Sequence, residues 1–170
     1  MKKFCLVLLA LCCLFAFCAC AKTDAPDGMK DVAHENARFH LYVPDAWTST
    51  SDSGISGAKA SDGANVTLTL YLPDTPLSPA GYFDASCRTS YSENFKDYTL
   101  LTDGADAKLG GKDAKEYVFS LTMDGKLYQL RQILATDGNY IYILTYTAPA
   151  DLYAAHTEEV DSIAANFVFR

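Results

Sequence analysis

The sequence is poor in cysteine and histidine, the residues on which disulfide frameworks and most metal sites depend. Five of its six cysteines lie within the first twenty residues, which leaves only Cys87 in the remainder. A single cysteine builds no disulfide framework, and its helical spacing favours a buried, inert thiol over a nucleophile. His34, His40 and His156 fit no metal-binding spacing, so we expect exposed side chains there, with neither metal nor cofactor.

Basic residues are also scarce. Lysine and arginine number 14 against 21 aspartates and glutamates, which gives a net charge of −7. Without Lys2 and Lys3, which precede a long apolar run, the charge is −9. Nucleic acids and anionic membrane surfaces require basic patches, so the composition argues against both as partners. We interpret the acidic surface as a solubility feature, with cation capture as the alternative.

Motifs of common hydrolases and nucleotide-binding proteins are missing as well. The segment from Gly54 to Gly57 lacks the Gly-x-Ser-x-Gly spacing that exposes a nucleophile. The segment from Gly110 to Lys112 lacks the remaining residues of a phosphate-binding loop. The sequence therefore predicts no catalytic residue and a non-enzymatic protein; an enzyme whose residues converge only in the fold is the alternative.

The N-terminus carries the clearest functional signal. Two lysines precede an unbroken apolar run from Phe4 to Ala19, as in a secretory signal peptide. Cys20 follows directly, which resembles the bacterial lipobox, where cleavage leaves a lipidated cysteine at the new N-terminus. We predict a signal peptide over residues 1–19, acyl chains such as palmitate on Cys20, and attachment to the extracytoplasmic face of a bacterial cell membrane. An uncleaved membrane anchor over Phe4–Ala21 is the alternative.

The next segment is polar and aperiodic, which predicts a flexible tether over residues 20–37 with a reach of roughly 20–25 Å. A single folded domain over residues 38–170 follows. Its first strand spans Arg38–Pro44, where Phe39, Leu41 and Val43 alternate with His40 and Tyr42 and predict one buried face.

Turn dipeptides mark several hairpins. Asp-Gly pairs at 62–63, 124–125 and 137–138 supply residues that tolerate positive φ, and Gly110-Gly111 closes a short strand near Tyr98–Leu101 or Ala105–Leu109. Tyr140–Thr147 is apolar at nearly every position, which indicates a central strand covered on both faces.

Two segments have helical periodicity. Phe83, Cys87, Tyr91 and Phe95 form a stripe within a helix predicted over Ser78–Phe95, and a second helix is predicted over Pro149–Ala165. Two helices with about six mostly antiparallel strands indicate an α+β sandwich.

The domain resembles the PsbP-like family, which is named for an extrinsic subunit of photosystem II and includes many bacterial lipoproteins. The resemblance rests on an opening strand with proline and tryptophan, a glycine turn before a strand, an apolar strand and a closing strand: Phe39-x-Leu41-x-Val43-Pro44-x-x-Trp47, Gly111-x-x-Ala114-x-x-Tyr117, Tyr142–Ala148 and Asn166–Phe169. It implies an α-β-α sandwich around an antiparallel sheet, with a binding or assembly role rather than catalysis. A Ran-binding nuclear import factor has the same fold, so the fold does not fix the function.

Tyrosine is abundant, with 11 residues. Tyr128, Tyr140, Tyr142 and Tyr146 fall on adjacent predicted strands, where they could line a groove for a peptide, a glycan or a flat ligand. Packing in half-buried strands is the alternative, since tyrosine is favoured there. The sequence thus predicts a membrane-tethered binding or accessory protein whose protein or ligand partner is unidentified.

Overall fold

A seven-stranded antiparallel sheet forms the middle of the molecule in a computed structural model, which describes residues 24–50 and 55–170. The strands are β1 Met29–Asp31, β2 Phe39–His40, β3 Tyr42–Pro44, β4 Thr48–Ser49, β5 Ser56–Lys59, β6 Asn65–Tyr71, β7 Thr99–Leu109, β8 Lys112–Met123, β9 Lys126–Asp137, β10 Tyr140–Pro149 and β11 Val168–Phe169. The large sheet has the order β4-β5-β6-β10-β9-β8-β7, while β1 pairs with β3 and β2 with β11.

Two helical segments cover the sheet. Helix α1 runs through Pro79–Tyr82, a wide π-helical turn at Phe83–Arg88, and Thr89–Asn94. Helix α2 spans Thr157–Ala165 after a single 3-10 turn at Tyr153–His156. The predicted α+β class is confirmed, and the described residues contain one strand more in the main sheet than the six expected.

Helix α1 lies where the apolar stripe predicted it. Phe83 is fully buried and stacks on Tyr117 of β8 with ring centroids 3.5 Å apart. Cys87, Tyr91 and Phe95 pack against the same cluster. Burial raises the pKa of the Cys87 thiol to about 11, so it is protonated at neutral pH, as expected of an inert core thiol.

Strand β10 is the central strand that its apolar run predicted. It lies between β6 and β9, and alternate residues face opposite sides of the sheet. Ile141 and Ile143 join the cluster beneath α1, whereas Tyr142 and Leu144 join the larger core beneath α2. With one helix on each face, the arrangement is an α-β-α sandwich.

The start of α2 differs from the prediction. β10 continues to Pro149, which is buried and pairs with Tyr128 of β9. A turn and the 3-10 turn follow, so the helix begins at Thr157 and not in the first turn after Pro149. Proline favours the first turn of a helix, but pairing with β9 keeps Pro149 at the end of a strand.

The predicted tether is also wrong from residue 29 onward. Met29–Asp31 pairs with Tyr42–Pro44, and Val32 is buried in the core. The Asp31 carboxylate accepts hydrogen bonds from the backbone N–H groups of Ala33 and Leu41, at 2.9 and 3.2 Å. A three-residue strand is too short to show a period, so only its partner in space reveals it.

Three local corrections follow from the hairpins and the opening strand. The turn before β10 is formed by Gly138-Asn139 and not by the predicted pair at 137–138, because Asp137 already pairs with Tyr140.

The strand before Gly110 is longer than predicted. β7 is one strand from Thr99 to Leu109 with two register shifts, which hide its alternation in the sequence. The opening strand is divided into β2 and β3, and Tyr42 is buried beside His40, so this segment has no single buried face.

The two-residue turns at Gly110-Gly111 and Asp124-Gly125 are confirmed, since all four residues have positive φ. Gly110 is further constrained, because a Cβ atom there would lie 2.3 Å from the Phe167 carbonyl oxygen. No helix among residues 24–50 and 55–170 is both long and apolar enough to cross a bilayer.

Candidate functional site

A cleft of about 440 Å³ opens between the loop of residues 34–38 and the sheet. The sheet side is formed by Ser56 at the start of β5, Leu70 near the end of β6 and Tyr140 at the start of β10. These residues meet because β5, β6 and β10 are neighbours and run antiparallel to one another. We call this concavity the loop–sheet cleft.

The base of the loop–sheet cleft is apolar and well supported. Phe39 is buried beneath it and contacts Phe167 and Tyr142, with ring centroids 5.7 and 6.3 Å away. Leu70 and Tyr140 are half-buried and pack on the same core. Because Phe39 is held by two further rings, the base offers a fixed apolar surface to a ligand.

The rim of the cleft is polar and carries positive charge. The Arg38 guanidinium carbon lies 4.7 Å from the centroid of the Tyr140 ring, within the range of a cation–π contact. His34 and Asn36 complete the rim from the loop side. No carboxylate is among the described residues that line the cleft.

The wall of the cleft contains an unsatisfied hydroxyl. Ser56 is fully buried, and its Oγ atom has no hydrogen-bond partner within the described part of the chain. A buried polar group without a partner costs about 1–3 kcal/mol. Such a group at a cavity wall indicates a position where a ligand atom would be bound.

The loop that forms one side of the cleft is held by the end of the chain. The Arg170 backbone N–H donates to the Arg38 carbonyl at 2.8 Å. Its guanidinium donates to the carbonyls of Glu35 and Ala37, at 3.1 and 3.3 Å. The rim is therefore positioned by the last residue, which nothing in the local sequence indicates.

The four tyrosines predicted to share a binding face do not do so. Tyr142 and Tyr146 are fully buried beneath α2, and the Tyr146 hydroxyl donates to the Tyr153 carbonyl at 2.8 Å. Tyr128 packs in the cluster on the opposite face of the sheet. Only Tyr140 reaches the cleft. The prediction is wrong because the second helix covers Tyr142 and Tyr146, and Tyr128 lies on the opposite face of the sheet.

His156 was expected to be exposed but is largely buried. Its Nε2 atom lies 2.8 Å from Asp62 Oδ2 and its Nδ1 atom 2.5 Å from Glu159 Oε2. Its ring meets Trp47 edge-on at 5.4 Å. Burial lowers the pKa of His156, but the bonds to Glu159 and Asp62 outweigh it and leave the pKa raised.

This histidine joins the start of α2 to the turn between β5 and β6. Asp62 lies 94 residues away in sequence, so no motif could have signalled the contact. His40 is likewise half-buried and lies 2.6 Å from Asp31, whereas His34 is exposed at the cleft rim. Within residues 24–50 and 55–170, no group of His, Cys, Asp and Glu side chains could hold a metal ion.

A larger depression of about 610 Å³ lies at the β7–β8 edge and is less suited to bind a ligand. Its charged residues already pair with one another, Lys115 with Asp106 at 2.7 Å and Lys108 with Asp113 at 2.5 Å. A ligand there would have to displace existing ion pairs, whereas the loop–sheet cleft has an unpartnered donor. The loop–sheet cleft is therefore the candidate site.

Comparisons with known proteins place the fold. No family model matches the chain, and no curated protein matches it. Among solved structures, LpqN of Mycobacterium tuberculosis, which is involved in cell envelope biogenesis, is 19% identical with a TM-score of 0.57, over 82% of this chain and 89% of that chain.

Two further structures with this architecture come from distant organisms. CyanoP, the cyanobacterial PsbP of Synechocystis, is 11% identical with a TM-score of 0.57, over 87% of this chain and 96% of that chain. The Ran-binding protein Mog1p of Saccharomyces cerevisiae is 8% identical with a TM-score of 0.58, over 83% and 95%. The chain therefore has the PsbP-like α-β-α sandwich fold.

Proposed function

We propose that the chain is a lipid-anchored, non-enzymatic protein of the extracytoplasmic membrane face that binds a small ligand in the loop–sheet cleft. The observation that carries the proposal is the cleft itself. It combines a rigid apolar base, a cationic rim and a buried hydroxyl without a partner. Cavities of this size with few placed polar groups are typical of small-molecule sites.

The location follows from the N-terminus and not from the fold. Cys20 lies outside the described residues, so its lipidation stays a prediction from the sequence. LpqN, which shares the fold, is involved in cell envelope biogenesis, and an accessory role at the envelope agrees with a tethered binding domain. The weight of the proposal rests on the cleft, because one fold serves many functions.

The ligand-binding part is tested by what the full chain retains. The protein is transferred from its own membranes into nanodiscs, and bound small molecules are extracted and compared by mass spectrometry. We expect a molecule that Leu70→Glu loses, because a charge on the apolar base opposes the ligand. Leu127→Glu serves as the matched control, since Leu127 is exposed at the start of β9, at the end of the sheet opposite Tyr140.

Tyr140→Gln is a second variant that alters the base without adding charge, in case Leu70→Glu folds poorly. Circular dichroism establishes that each variant is folded. If both cleft variants retain the same molecules as the wild type, the cleft is not the binding site and the proposal fails.

The anchor is tested separately by labelling cells with a palmitate analogue. We expect Cys20→Ala to lose the label and Cys87→Ala to keep it, because Cys87 is the only cysteine after residue 20. A labelled Cys20→Ala protein would contradict the anchor.

A further inference from the structure

The loop–sheet cleft presents positive charge and hydrogen-bond donors in a protein that is otherwise acidic. The whole chain has a net charge of −7, yet no described lining residue of the cleft is an aspartate or glutamate. Glu35 belongs to the same loop but does not line the cleft. The charge of the cleft is therefore opposite in sign to that of the whole chain, and it bears on the charge of the ligand.

From this reversal we infer that the cleft takes a small organic anion, an apolar body that carries one carboxylate or a comparable acidic group. The inference rests on the proposed function and deepens it by naming the class of ligand. The juxtaposition that carries it is Arg38 stacked over Tyr140 at the rim, with the Ser56 hydroxyl in the wall.

The apolar body fits the base of the cleft. Phe39, Leu70 and Tyr140 give it a surface of two rings and one aliphatic side chain. The volume of about 440 Å³ accommodates a fused ring or a short acyl chain. Because Phe39 is supported from below by Phe167 at 5.7 Å, binding requires no repacking of the core.

The acidic group fits the rim. A guanidinium that stacks on a ring keeps its in-plane N–H groups available, and these match a carboxylate with two parallel hydrogen bonds. Arg38 forms no ion pair with any residue in the described part of the chain, so its donors are not already engaged by an acid. An anion therefore gains an ion pair without displacing one.

The buried hydroxyl selects the same ligand. Ser56 lines the cleft, and its buried Oγ atom has no hydrogen-bond partner among the described residues. Ser56 has no exposed surface, so the wall must open locally before a second oxygen of the bound acid, or a polar substituent near it, accepts this hydrogen bond. A wholly apolar ligand would gain neither the ion pair with Arg38 nor the hydrogen bond to Ser56, so the site favours the anion.

The inference is tested by equilibrium dialysis of the full chain in phosphatidylcholine vesicles, with protein-free vesicles as the background. The probes are 2-naphthoate, its neutral isostere 2-naphthamide and decanoate. We expect both carboxylates to bind the wild type, and Arg38→Gln to weaken naphthoate by at least about tenfold, the loss of one charge-assisted contact. Naphthamide should bind more weakly and be unaffected by Arg38→Gln.

Arg88→Gln is the matched control. Its guanidinium also lies over a ring, 5.5 Å from the centroid of Phe83, but it belongs to the helix on the other face of the sheet. Naphthoate should bind this variant as it binds the wild type. The relative affinity of decanoate and naphthoate then tells whether the acid is of the fatty acyl or the aromatic kind.

Equal binding of naphthoate and naphthamide, unchanged in Arg38→Gln, would overturn the anion and leave the cleft as a site for neutral ligands. Failure of all three probes to bind would also overturn it. Failure of the proposed function is a different result, since both cleft variants would then retain every molecule that the wild type retains.

Discussion

On the α1 side of the sheet, rings pack against rings, the ion pairs lie at the surface, and the buried polar contact is neutral, since Gln132 donates to the Tyr91 hydroxyl at 2.9 Å. On the α2 side, charged groups lie within the packed layer. Arg88 of α1 pairs with Asp84 and Asp103, which are both well exposed. Beneath α2, by contrast, Arg131 is mostly buried where it contacts Glu116 at 2.6 Å and Asp161 at 2.5 Å. His156 is similarly buried between Asp62 and Glu159.

This difference distinguishes a face held mainly by apolar packing from the face that carries the candidate site. The α1 side depends mainly on the area and shape of its apolar side chains, since the Phe119 ring contacts both Phe83 and Tyr91. The α2 side also positions the opening strands, the end of the chain and the loop–sheet cleft. Polar contacts of fixed geometry are suited to that task because they specify orientation as well as proximity.

The largest effect is expected on the α1 side. Phe83→Ala should lower the free energy of unfolding by about 3–5 kcal/mol, because it removes a fully buried ring that stacks on Tyr117. Guanidinium unfolding of the full chain measures it. Phe95→Ala, at the half-buried end of the helix, is the control with a smaller loss. A Phe83 variant no less stable than the Phe95 variant would show that the stacked ring is not central.

The next effect concerns the backbone contact between the β7–β8 turn and the chain beyond α2. Gly110→Ala should destabilise by roughly 2–4 kcal/mol, because its φ of +54° is strained for alanine and the Cβ atom would clash with the Phe167 carbonyl. Gly111→Ala shares the turn and a positive φ but meets no atom within 4 Å. Thermal unfolding measures the stability of both variants. Gly111→Ala reports the backbone strain alone, so an equal loss of stability in the two variants would rule out a contribution from the clash at Gly110.

Breaking the polar layer should have a moderate effect. Glu116→Gln is expected to cost about 1–2 kcal/mol, because it leaves the mostly buried Arg131 without its more buried partner, which lies on β8. Asp113→Asn disrupts an exposed pair with Lys108 and should change stability by less than about 0.5 kcal/mol. Urea unfolding measures the change in the free energy of unfolding for both variants. Equal changes would show that the burial of the ion pair does not determine its contribution.

The smallest effect is a dependence on pH. Because the pKa of His156 is raised in the folded state, its contribution to stability is present below the unfolded pKa and is lost as pH rises through the folded pKa. The free energy of unfolding relative to His156→Asn should therefore fall as pH rises above 6.5, the ordinary pKa of histidine.

Trp47 reports the same titration, since it is the single tryptophan and lies 5.4 Å from the His156 ring. Its fluorescence should change over that pH range in the wild type and in His34→Gln, but not in His156→Asn. An unchanged profile in His156→Asn would show that another group causes the change.

The accuracy of the predictions differs between the two faces for the same reason. On the α1 side, the stripe of Phe83, Cys87, Tyr91 and Phe95 predicted which surface of the helix is buried, because four-residue spacing alone sets it. On the α2 side, Tyr140, Tyr142 and Tyr146 have equivalent sequence signals. Their exposure differs because α2 and β11 cover two of them and leave the third at the cleft.

The candidate site was therefore only partly predictable. Tyr140 was among the expected binding residues, but Arg38 was placed at the boundary of the tether and Ser56 carried no signal. The contact between Asp62 and His156 was missed entirely, because nothing near either residue indicates the other. A pattern within one segment reports burial, whereas a site formed by several segments depends on how they are arranged.

By itself, the sequence determined the order of the two helices among the long strands, the turns at Gly110-Gly111 and Asp124-Gly125, and the central position of β10. Each depends on interactions among residues a few positions apart, which set period and backbone conformation. Only the tertiary structure decided that Met29–Asp31 is a strand, that α2 begins at Thr157, and that Arg38, Ser56 and Tyr140 share one cleft. Those features arise from contacts between distant segments, whose free energy is gained only when the whole sheet has formed.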